Sequence, residues 1–73
     1  MDLTKAVQDA QEAARVANEA EAHESVNSPV DWRLFWEACR CWCVASGLTP
    51  DKAVAKDYAD RAWLWAKKAT AWR

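Results

Sequence analysis

Apolar positions in this chain follow helical periods throughout, but their weight changes near residue 28. Between residues 3 and 17 they recur as Leu3, Val7, Ala10, Ala14 and Ala17, at alternating steps of four and three. That spacing is one face of a helix. The face is mostly alanine, so it can approach another helix closely while burying little apolar area. Asp2 to about Glu24 is rich in Ala, Glu, Gln, Arg and Lys and contains no Gly or Pro. The segment therefore predicts a helix by propensity, with Asp2 as its cap. Beyond Ala17 the seam runs into Glu21 and Glu24 and ends.

Glu24 to Asn27 reads as a linker, and Ser28-Pro29-Val30-Asp31 as a helix start. Ser28 is placed as N-cap, Pro29 at the first helical position and Asp31 as the capping-box carboxylate. The second helix is expected to reach about Ser46 and to stop at Gly47 in a left-handed C′ conformation. Its polar stripe is narrow: Arg33, Glu37 and Arg40. Trp32, Leu34, Phe35, Trp36, Cys39, Cys41, Trp42, Cys43 and Val44 fill most of the remaining circumference. A helix apolar on most sides is a central one. Thr49-Pro50-Asp51 repeats the start signal, with Thr49 as cap and Pro50 opening a third helix. There Val54, Tyr58, Ala62, Trp65, Ala69 and Trp72 form the stripe expected against the second helix. The short link through Gly47-Leu48-Thr49 makes the last two helices neighbours.

The fold expected is all-α. An acidic, Ala-rich N-terminal helix and linker, residues 1–27, is loosely attached to a compact Trp-rich helical hairpin or corner, residues 28–73. Composition sharpens that division. Six Trp fall among 73 residues, all after residue 31. Sixteen of the apolar residues are Ala. The core must come from the second part, and Trp not used there is a candidate contact surface. Net charge is −1 overall, distributed as −4 over residues 1–27, zero over 28–49 and +3 over 50–73. This asymmetry points to surfaces of opposite sign and argues against a wholly DNA-binding domain, which is usually clearly basic.

Candidate chemistry is sparse. Cys39, Cys41 and Cys43 alternate along a helix, so Cys39 and Cys43 share a face that Cys41 leaves. Zinc needs about four converging ligands, and the single His, His23, lies outside that helix. Three small buried hydrophobes in a reduced, cytoplasmic protein is the reading these cysteines support. No signal segment and no membrane-length apolar run is present. No catalytic residue, metal or cofactor is expected. The suggestive stretch is the C-terminal one. Arg61, Trp63, Leu64, Lys67, Lys68, Trp72 and Arg73 interleave cations with bulky apolar groups, and with Arg33 and Arg40 they are the candidate partner-binding residues. Trp63 and Leu64 lie off the core stripe, so either the N-terminal arm covers them or a partner does.

Several features together resemble a known type. These are the Met1-Asp2-Leu3-Thr4-Lys5 opening, the Ala-rich arm and the Trp-dense helical body ending Ala71-Trp72-Arg73. The chain is similar to the small regulators that lytic phages direct against host RNA polymerase. The resemblance implies a non-enzymatic protein in the cytoplasm of a bacterial host. Its partner would be RNA polymerase, bound near the RNA exit region and the N-terminal part of the largest subunit. It would block initiation by helping to displace the sigma factor, and it would suppress termination. No catalytic or metal-binding residue carries over from that type. The charge split adds an expectation of secondary contact with RNA or DNA through the basic C-terminal helix. Two other classes stay open. One is a small DNA- or RNA-binding regulator of helix-turn-helix type, and the other a self-associating phage structural or assembly protein.

Overall fold

A computed structural model describes residues 2–71. Trp72 and Arg73, both candidate contact residues, lie outside the described residues. The all-α expectation holds: α1 spans Leu3–Ala22, α2 Arg33–Leu48 and α3 Lys52–Ala71, and no strand forms among the described residues.

The start of α1 follows its sequence signal. The Asp2 carboxylate accepts the Lys5 backbone N–H at 2.8 Å, satisfying one of the orphan donors of the first turn. Along its solvent side, Lys5 pairs with Asp9 at 2.8 Å and Arg15 with both Glu12 and Glu19. The buried positions are Ala6, Ala10 and Ala17, with Val7, Ala13 and Ala14 packed at their edge. The contact line is thus the expected seam, rotated slightly towards Ala6.

The start of α2 differs from expectation. Ser28 does not cap it. Ser25 and Ser28 exchange both backbone hydrogen bonds, each 3.1 Å, across a tight turn that leaves Val26 99% exposed. Ser28 is therefore committed to closing that turn, and Pro29 stands outside the helix. Asp31 takes the capping role: its carboxylate accepts the Arg33 backbone N–H at 3.0 Å, and its carbonyl accepts Leu34 N–H at 3.0 Å.

The end of α2 differs as well. Gly47 stays within the helix and has no positive φ. The terminator is Thr49, extended at φ −79° and ψ 135°, because a residue before proline is driven out of the α region. Pro50 ends α2 and does not open α3. Asp51 caps α3 by accepting Ala53 N–H at 2.9 Å and Val54 N–H at 3.3 Å, while Thr49 Oγ1 accepts Asp51 N–H at 3.3 Å. The Ser46 hydroxyl donates to the Ala55 carbonyl at 2.8 Å and fixes the corner.

As its apolar circumference predicts, α2 is central. Both α1 and α3 pack on it and not on each other's backbone. The bulky core is Phe35, Trp42 and Trp65, with Ala38, Ala45, Ala62 and Ala69 beside them. Phe35 meets Trp65 at 5.8 Å between ring centroids, and Trp42 meets Tyr58 at 5.3 Å. Both are within the range of favourable tilted aromatic pairs. The stripe expected on α3 is the one used, from Val54 to Ala69. The cysteines are not all buried: Cys41 is, Cys39 is half-buried and Cys43 is exposed. Helical alternation sends Cys41 towards the core and leaves Cys43 in solvent.

Candidate partner-binding surface

Capped at Asp51 and anchored by Trp65, α3 presents a different surface on each flank. Trp63 and Leu64 follow each other in sequence, so they diverge by about 100° around the helix. Trp63 is 66% exposed and Leu64 59% exposed. The arm covers neither.

On the Leu64 side a crevice of about 290 Å3 opens between α1 and α3, lined by Ala14, Trp42, Arg61, Leu64, Trp65 and Lys68. Its cations are ordered by the rings beneath them. The Arg61 guanidinium lies 5.0 Å from the Trp42 ring centroid and bonds Asp57 at 3.2 Å. Lys68 Nζ lies 4.9 Å from the Trp65 ring and 2.8 Å from Glu21 of α1. Such cation–π contacts hold a charged head over an apolar floor. Arg61 and Lys68 sit one heptad apart, with Leu64 between them on the same side of α3. An apolar anchor flanked by two positioned cations can receive an apolar side chain bordered by carboxylates.

On the Trp63 side a groove of about 410 Å3 runs between α2 and α3, lined by Trp36, Trp63, Ala66, Lys67, Thr70 and Ala71. The two remaining described candidates, Arg33 and Arg40, lie apart from α3, with Arg40 at the edge where α2 meets Asp9 and Ala6 of α1. Arg33 bonds Asp31 at 3.0 Å, and Arg40 pairs with Glu37. These hydrogen bonds hold both carboxyls below their usual range and raise both guanidinium groups. Arg61, Leu64 and Lys68 thus share one flank of α3 and Trp63 and Lys67 the other, while Arg33 and Arg40 lie on α2.

Residue-by-residue reading missed Trp32 and Trp36 as surface groups. Trp32 is 43% exposed and Trp36 half-buried. The available signal was a second apolar stripe on α2, Trp32, Trp36, Cys39 and Cys43, at steps of four, three and four. Among the described residues no three or more His, Cys, Asp or Glu side chains gather as metal ligands, and no helix is long and apolar enough to cross a membrane. No protein family, characterised protein or solved structure matches this chain.

Proposed function

We propose that the chain is a non-enzymatic regulator that acts by binding a protein, with Leu64 as its anchor and Arg61 and Lys68 as flanking cations. The observation that carries this reading is the 59% exposure of Leu64 at the mouth of a crevice floored by Trp42 and Trp65. An apolar side chain standing over an aromatic floor with positioned cations fits the anchor-and-rim pattern of a protein contact. The partner we propose is bacterial RNA polymerase, whose initiation the chain would inhibit and whose termination it would suppress. This partner rests on the resemblance of the Trp-dense body and acidic arm to phage regulators of that enzyme.

The helix-turn-helix alternative is less supported by the geometry. Base contacts in such motifs come from the N-terminal residues of the recognition helix, where this chain places the Asp51 carboxylate. Arg33, Arg40, Arg61 and Lys68 also bond carboxylates of the chain itself, which would have to be displaced for phosphate contact.

The test is capture from a nuclease-treated bacterial lysate with the intact chain and with Leu64→Glu. Polymerase subunits should be retained by the first and lost from the second. Equal retention would remove Leu64 from the contact, and absence of polymerase in both would remove the partner.

A further inference from the structure

The side of α2 carrying Trp32, Trp36, Cys39 and Cys43 has no part in the reading above. These four residues share one face of the helix at steps of four, three and four. Trp36 and Cys39 pack at the edge of the core, where Trp36 meets α3 across the groove to Trp63, and the outer part of the stripe stays in solvent. Trp32 is 43% exposed and Cys43 is exposed, with Trp36 and Cys39 half-buried between them. Trp63 flanks the stripe from α3 and is 66% exposed.

The stripe is ordered by size, with two bulky indoles at its N-terminal end and two small thiols at its C-terminal end. Set against a second copy running antiparallel, with the two-fold axis between positions 37 and 38, each bulky residue meets a small one. Trp32 faces the other copy's Cys43, and Trp36 faces its Cys39. Large against small is how facing helical layers interdigitate, and self-complementarity about a two-fold is what a symmetric dimer requires.

A second set of contacts falls on the same axis. Phe35 meets Trp65 and Trp42 meets Tyr58 within the chain. Interpolating between these antiparallel contacts, the centre of the stripe is level with the point between Ala62 and Trp63, of which Ala62 is buried and Trp63 exposed. In an antiparallel pair of α2 helices, the two α3 helices lie on the same side and the two Trp63 rings come together at the axis.

We infer that this face is the interface of a two-fold dimer of the chain, with α2 antiparallel to its copy and Trp63 paired across the axis. Trp32 and Trp63 together leave roughly 250 Å2 of indole to cover per copy. Adding Trp36, Cys39, Cys43 and the stem of Lys67 still gives an interface below about 1,200 Å2 in total, the class of transient association. The rim does not oppose it, because Arg33 and Arg40 each carry a paired carboxylate.

The test uses the purified chain alone, so its result is separate from that of polymerase capture. Sedimentation equilibrium under reducing conditions from about 10 µM to about 1 mM should show reversible monomer–dimer exchange. Trp63→Glu should weaken association by more than about tenfold while leaving the helical circular dichroism unchanged. Cys43→Trp should weaken it similarly by overfilling the site opposite Trp32, and adding Trp32→Ala should restore association to within about threefold. That rescue is specific to the antiparallel register. A monomer throughout the range, a dimer indifferent to Trp63→Glu, or no rescue by Trp32→Ala would each overturn the inference.

Discussion

Three cysteines within five positions of one helix occupy three environments. Burial raises the Cys41 thiol above its ordinary range, and neighbouring Arg40 only partly opposes the shift. Burial also raises Cys39, with a further push from Cys43 across one turn. Protonated thiols are thus favoured by the fold, so their contribution is complete below the usual thiol range and erodes as alkaline pH ionises them. Alkylation of the native protein near neutral pH, followed by mass spectrometry, should modify Cys43 first, Cys39 later and Cys41 last. Equal rates at all three would mean that α2 opens as readily as the reagent reacts. The division of these thiols between two faces was legible from helical alternation. Which face meets solvent was not, since that depends on where α1 and α3 lie.

The three helices themselves were legible, and their ends less so. Asp2 works as its position suggests because nothing competes for it. Ser28 had the right identity and spacing for a cap, yet the Ser25–Ser28 turn uses its backbone and Asp31 begins α2 instead. At the other end Pro50 outranks Gly47 as a terminator, since it acts on Thr49 sterically while Gly47 only permits a left-handed turn. Three substitutions test these boundaries through stability. Gly47 is helical, has no positive φ and has nothing within 4 Å of where a Cβ would stand. Gly47→Ala should therefore stabilise the protein by about 0.5–1 kcal/mol, read as a rise in the thermal midpoint. Asp51→Ala should cost about 1 kcal/mol through the lost cap, while Ser28→Ala should change stability by less than about 0.5 kcal/mol. A cost of about 1 kcal/mol for Ser28→Ala in thermal melts would instead mark Ser28 as a functional cap of α2.

At the scale of the molecule, α1 is held by close approach more than by bulk. Ala6, Ala10 and Ala17 are at most 1% exposed, and the ion pair between Glu21 and Lys68 at 2.8 Å ties its C-terminal end to α3. An alanine seam tolerates no added volume. Ala10→Leu should destabilise the fold by about 1–3 kcal/mol and speed amide exchange along α1, whereas an unchanged melt would mean that α1 shifts freely on α2. An all-α chain, the faces that carry apolar residues, the central place of α2 and the polarity of charge from end to end are all legible in the order of residues. Those properties follow from local periodicity and propensity. Tertiary packing alone settles that Trp42 is covered while Trp32 is not, that α1 leaves Trp63 and Leu64 exposed, and that Arg61 and Lys68 lie over aromatic rings. Burial is set by which helices lie on each side of a residue. Two flanking helices can cover only part of the circumference of α2, so an indole on the remaining arc stays in solvent whatever its hydrophobicity.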